Sequence, residues 1–183
     1  DRSMAGDILL DMLIETDDKD RALCARRLKE AVEAPRRLLR FLGQCNIDVA
    51  RELLEENKAL DSADLCHIID HTGVEHCSII ARRAHLSASV AERLAEKGEV
   101  EAVVSLLKNQ RAEIPETAMD IIVARSRTEP HLCELAARRQ ELRPSQAMAM
   151  FWWSDGLTRR QILQRQAADR RELIDLCSDV FAV

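Results

Sequence analysis

Lys29, Asn57, Arg83, Arg111 and Arg139 recur at a near-constant interval along this 183-residue chain, with Arg82 and Arg138 beside two of them. In a repeat protein such positions superpose into a ladder. An arginine ladder holds carboxylates or phosphates through its two-pronged guanidinium groups. A plainer chemistry fits the same residues: each ends an expected helix, where a cation satisfies terminal carbonyls and complements the helix dipole for about 0.3–1 kcal/mol. The dipole predicts this placement without any ligand, so the ladder reads first as a set of helix caps and second as a candidate binding ridge.

Two other groups bear on chemistry. His67 and His71 are four residues apart, hence on one helix face, as a zinc pair requires. A third ligand is missing from the pattern, because Cys66 points about 100° away from His67 and Cys77 belongs with the apolar Ile79. His67 and His71 are thus weak metal candidates, and no metal or cofactor is expected; with His76 they also admit a pH-responsive surface. Trp152-Trp153 concentrates both tryptophans, a favoured interface anchor. Adjacent helical residues diverge by about 100°, so one of the pair is expected in the core and the other at the surface. No glycine-rich phosphate loop, GxSxG or HExxH occurs, and no cysteine has a local nucleophile motif, which gives a non-enzymatic reading.

The elements that carry these residues repeat. Leu60, Leu86, Ile114 and Leu142 each precede a polar or proline residue suited to start a helix, at intervals of 26, 28 and 28 residues, and Val32 before Pro35 extends the series upstream. A fixed period in this range marks stacked helical hairpins, since one hairpin cannot bury its own apolar face alone. Apolar residues keep register on both helices of each hairpin. Leu53, Ile79, Leu107 and Leu135 lie seven positions ahead of the anchors, while Leu65, Ile68, Ile69, Val90, Leu94, Ala118, Ile121, Ile122, Met148, Met150 and Phe151 follow them. Gly43, Gly73, Gly98 and Gly156 fall where helices should stop, places suited to a left-handed residue. Pro35, Pro115, Pro130 and Pro144 fall where first turns are expected. Asp17, Asp18 and Asp20 open an early helix, and Thr158 is placed to cap a last one bearing Ile162, Leu163, Leu173, Leu176 and Val180.

The expected fold is all-α, a right-handed α-solenoid of about five short hairpins. Residues 1–31 read as N-terminal capping helices, 32–153 as the repeats and 154–183 as a C-terminal helix, either a cap or the start of a further module. Hydrophobic residues make up 46% and aromatics 3%, so the core is Leu, Ile, Val and Ala, which suits close-packed helices. A net charge of −5 argues against a general grip on nucleic acid. The six cysteines, Cys24, Cys45, Cys66, Cys77, Cys133 and Cys177, are scattered without a CxxC pair and read as small core residues of a reducing cytoplasm. No apolar run reaches membrane-spanning length, and a chain opening at Asp1 reads as one domain of something longer.

The phrases beginning Asp48-Val-Ala-Arg-Glu-Leu-Leu-Glu, Asp64-Leu-Cys-His-Ile-Ile, Val90-Ala-Glu-Arg-Leu-Ala-Glu-Lys-Gly-Glu and Val103-Val-Ser-Leu-Leu-Lys-Asn resemble a bacterial family known as domain of unknown function 2336. So do Ile80-Ala81-Arg82-Arg83 followed by Leu86-Ser87, and Leu106-Leu107-Lys108-Asn109. The resemblance covers roughly residues 20 to 153 and implies a HEAT-like helical repeat and a bacterial cytoplasmic protein; it carries no catalytic residues. The resulting expectation is a protein-interaction or scaffold module of a bacterial regulatory or signalling protein. Its candidate contact residues are Lys29, Arg82, Arg83, Arg111, Arg138, Arg139, Trp152 and Trp153. Two alternatives stand beside it: a HEAT-like nucleic-acid binder or base-processing enzyme using the arginines and a tryptophan, and a metal or small-molecule sensor using His67 and His71.

Overall fold

The computed structural model describes residues 2–31 and 33–165, and among them every regular element is a helix. The anchor Val32, and Leu173, Leu176, Cys177 and Val180 of the expected last helix, lie outside the described residues. Eleven helices follow in order: α1 (Arg2–Glu15), α2 (Asp18–Leu28), α3 (Arg36–Gln44), α4 (Ile47–Glu56), α5 (Ser62–His71), α6 (Val74–Ala81), α7 (Ala88–Lys97), α8 (Val100–Lys108), α9 (Glu116–Arg125), α10 (Pro130–Ala137) and α11 (Pro144–Phe151). Residues 156–165 form a further helix, α12. The chain divides into two compact units, Asp1–Ala118 and Met119–Val183.

Within the first unit the helices pack two apart. α2 lies on α4, α4 on α6 and α6 on α8, while α1 lies on α3, α3 on α5 and α5 on α7. The chain reverses through Cys45-Asn46 between α3 and α4, Thr72-Gly73 between α5 and α6, and Gly98-Glu99 between α7 and α8. Turns this short leave consecutive helices side by side, and α3 packs along α4 and α7 along α8. α2 stacks on α4 as α4 does on α6, so the second of the helices read as N-terminal caps takes part in the packing.

The anchors occupy one recurrent position. Leu60, Leu86, Ile114 and Leu142 are buried, and each stands two residues before the start of α5, α7, α9 or α11. Leu53, Ile79 and Leu107 are buried with them, whereas Leu135 is half-buried and Met148 exposed. Leu38, Leu39, Leu42, Leu54, Ile68, Ile80, Val90, Leu94, Val103 and Leu106 complete the interior of the first unit. At about 25 cal/mol per Å² of apolar surface, these contacts supply most of the drive to fold.

Local chemistry starts and stops the helices. Asp17 accepts the Asp20 amide at 3.0 Å to cap α2, and Asp61 accepts the Asp64 amide at 2.9 Å in a capping box opening α5. Pro130 and Pro144 sit in the first turns of α10 and α11, where no amide is missed. Asp155, not Thr158, caps α12: its carboxylate accepts the Thr158 amide at 2.7 Å, and Thr158 lies buried inside the helix. The glycines also depart from expectation, since no described residue has a positive φ. Gly43 is kept small by packing, because a Cβ there would stand 2.7 Å from the Ile68 Cδ1 atom.

A candidate binding groove

Two ladder residues, Asn57 and Arg83, clasp one repeat to the next, and Asn109 and Arg165 do the same from outside the ladder. Asn57 ends α4 fully buried; its amide nitrogen donates to the Leu28 and Lys29 carbonyls at 2.7 and 3.0 Å, closing the end of α2. Its side-chain oxygen accepts the amides of Ala59 and Leu60 at 2.8 and 3.1 Å, which fixes the bend that delivers Leu60. One repeat later, the Arg83 guanidinium donates to the carbonyl of Leu54 and, at 2.6 Å, to that of Asn57. Asn109 then donates to the carbonyls of Ala81 and Arg83 at 2.9 and 2.8 Å. In the second unit, Arg165 donates to the carbonyls of Arg139 and Gln140 at 2.5 and 2.8 Å. Terminal helix carbonyls have no partner in their own helix, so each clasp satisfies groups that water would otherwise have to reach.

This geometry sorts the candidate contact residues. Arg83 is committed to capping, and burial lowers its affinity for a proton below the usual arginine value. Lys29 ends α2 and pairs with Glu56 at 3.0 Å, and the hydrogen bond it donates to that carboxylate holds its proton more tightly than usual. Arg82 is exposed at the end of α6. Arg138 is exposed and paired with Glu134 at 2.5 Å, while Arg139 is 2% exposed and paired with Glu141 at 2.5 Å. Arg111 is exposed, and the clasp of its repeat is Asn109 two residues earlier, whose side-chain oxygen accepts the Arg111 amide at 3.1 Å. The five positions therefore do not make one exposed cationic row: Asn57 and Arg139 are buried.

Two cavities open beside the clasps of the first unit, of about 730 and 520 Å³, with Leu60, Arg83 and His85 lining both. Lys58, Glu55 and Glu56 extend the first, and Asp61, Arg111 and Glu113 the second. Together they form a groove along the connections from α4 to α5 and from α6 to α7, floored by the buried anchors Leu60 and Leu86. Lys58, His85 and Arg111 are exposed there without an ion pair or side-chain hydrogen bond among the described residues. Asp61 is held by Arg36, and the Asp64 amide, more than Arg36, keeps its carboxyl below the ordinary aspartate range. The groove thus offers unpaired cations over aliphatic anchors. Lys58 and His85 escaped the sequence reading because they lie in connections, where no helical period marks them.

The remaining candidates lie elsewhere. Trp152 is 74% exposed at the end of α11, with Phe151 edge-on at 6.0 Å, whereas Trp153 is half-buried and its indole nitrogen donates to the Ser126 hydroxyl at 3.1 Å. The pair divides between surface and interior as the angle between neighbours requires. The His67 and His71 rings lie 4.2 Å apart and tilted at 44°, with a ring nitrogen of His71 against the His67 carbonyl at 2.7 Å. His76 turns away to the Cys45 carbonyl at 2.9 Å. Among the described residues no three His, Cys, Asp or Glu side chains converge in metal-ligand geometry. The five described cysteines are free thiols, and burial raises the thiol pKa of Cys24, Cys45, Cys66 and Cys77. No described helix is long and apolar enough to cross a membrane.

Comparison with known proteins gives one family. The model described as "Uncharacterised protein conserved in bacteria (DUF2336)" matches residues 49–182. The comparisons with curated proteins and with solved structures give no match.

Proposed function

The chain belongs to this bacterial family, and from that premise we propose that it is a non-enzymatic protein-interaction module whose groove takes an acidic segment of a partner protein. The observation that carries the proposal is the placing of Lys58, His85 and Arg111, unpaired, over Leu60 and Leu86. An aliphatic side chain of the partner enters over the leucines, and flanking carboxylates meet the three nitrogen groups. Glu55, Glu56, Asp61 and Glu113 on the same walls repel a continuous phosphate backbone, which favours protein over nucleic acid.

The architecture we propose is a HEAT-like, right-handed solenoid of about five hairpins. Its support is the two-apart packing of α1 to α8 and the recurrence of each anchor two residues before a helix. Such a scaffold keeps a groove rigid at little entropic cost, the property a regulatory or signalling docking module needs. Free cysteines throughout the described chain favour the bacterial cytoplasm as its place of work.

The test is selection of a displayed library of random peptides against the chain, followed by affinity measurement on the winners. Enrichment of Asp or Glu around an aliphatic residue is expected, with at least a tenfold loss of affinity in Lys58→Glu/Arg111→Glu and unchanged melting. Equal binding by the double variant sinks the proposal. Binding of single-stranded DNA that the double variant abolishes assigns the groove to nucleic acid instead.

A further inference from the structure

Leu157 and Trp152 are 75% and 74% exposed, the highest values of any large hydrophobic side chain among the described residues. Both stand at the corner where α11 passes into α12. Met148, 45% exposed and one helical turn before Trp152, carries the apolar surface along α11. The packing behind the corner fixes this exposure. Met150 is buried and Trp153 donates to Ser126, while on α12 Thr158 and Ile162 take the inner side, so Trp152 and Leu157 are turned outward.

The same corner is cationic in an acidic chain. From Arg138 to Arg165 the sequence holds six arginines and two carboxylates, Glu141 and Asp155, whereas the whole chain carries −5. Both carboxylates are engaged, Glu141 by the buried Arg139 and Asp155 by the Thr158 amide. The Arg159 guanidinium lies 5.5 Å over the Phe151 ring and donates to the carbonyls of Phe151 and Trp152 at 2.9 and 3.3 Å, which pins its charge beside the tryptophan. Arg160, one turn on from Leu157, is exposed and has no ion pair among the described residues. Protruding apolar side chains set among arginines match an anionic lipid surface: Leu157 and Trp152 enter the headgroup layer, the indole N–H stays at the polar level, and the guanidinium groups meet phosphates. A site for stacked bases would need aromatic rings where Leu157 and Met148 stand, and a protein partner would need a pocket for two side chains this exposed. We infer that the chain associates with anionic bilayers through the α11–α12 corner, lying on the surface without crossing it. Each arginine at such a surface strengthens binding about fivefold, so the association is reversible and weakens with salt.

Co-sedimentation of the whole chain with vesicles decides it, comparing phosphatidylcholine alone with about three parts phosphatidylcholine to one part phosphatidylglycerol. Binding to the mixed vesicles should exceed binding to the neutral ones by about tenfold or more and fall as salt rises, with Trp152 protected from acrylamide in the bound chain. Trp152→Ser/Leu157→Ser should lower it about tenfold with unchanged melting, and Arg160→Glu about 25-fold, since a reversed charge counts twice. Lys108→Glu, an exposed charge of α8 in the first unit, is the control and should bind nearly as the parent does. Equal binding to both vesicles, or to neither, overturns the inference. So does full binding by the double variant, or a loss in Lys108→Glu equal to that in Arg160→Glu, which would mean general charge attraction. Single-stranded DNA bound through Trp152 by a chain that ignores vesicles assigns the corner to nucleic acid instead. If the double variant melts early, quenching of the native chain decides alone: Trp152 as open to acrylamide with mixed vesicles as without them sinks the inference.

Discussion

Replacing Arg83 by methionine keeps an unbranched apolar stem and removes the guanidinium, which isolates the clasp on the end of α4. The lost interactions are the donations to the Leu54 and Asn57 carbonyls, each gross about 1.5–3 kcal/mol for a charged donor. Against them stands the cost of burying the cation, visible in its lowered proton affinity, so the net loss is about 2–3 kcal/mol. For a chain of this length each kcal/mol moves the midpoint by about 2–4 °C, which sets the fall at about 4–12 °C. Arg111→Met is the control, since an exposed side chain outside any network shifts stability by no more than about 0.5 kcal/mol. Thermal unfolding followed by circular dichroism compares the two. Should Arg83→Met melt with the parent, or Arg111→Met fall as far as Arg83→Met, the division between clasp and groove residue is refuted.

Other outcomes follow from the same contacts. Asn57→Ala strips four hydrogen bonds from a fully buried site and costs about 3–4 kcal/mol by denaturant unfolding, more than any change at Lys58. Asp61 titrates lower folded than unfolded, so its contribution to stability is present at neutral pH and is lost as pH falls below about 4 through the folded value; Asp61→Asn should flatten the acid limb of a stability–pH curve. Trp152→Phe should remove most acrylamide-quenchable fluorescence and leave the melting point in place, whereas Trp153→Phe, which loses the Ser126 hydrogen bond, should lower it by about 1 kcal/mol equivalent.

The anchors were legible because their signal is local: an aliphatic residue, a helix-starting residue and a helical period follow one another in the chain. Leu60, Leu86, Ile114 and Leu142 accordingly share one position relative to the following helix. The clasps were half legible. Ends of helices predict cations, and Arg83 and Arg165 cap helix ends, but those of the preceding repeat. A partner 26 to 29 residues away leaves no periodic trace, which is why Asn109 was overlooked in favour of Arg111. Gly43 misled for the same reason, since it answers to Ile68 of another helix and not to its own turn.

In the first unit the carbonyl that receives each clasp belongs to the residue that is itself the clasp before it, Arg83 on Asn57 and Asn109 on Arg83, and in the second unit Arg165 holds Arg139 at the same interval. Chain length is thereby metered, 26 residues per link, by hardware that tolerates substitution of the intervening side chains far better than an inserted or deleted residue. From Asn109 to Arg139 the interval is 30 residues, and the division at Ala118 falls inside that longer stretch. Length variation within the family should gather there, and avoid the segments between linked clasps.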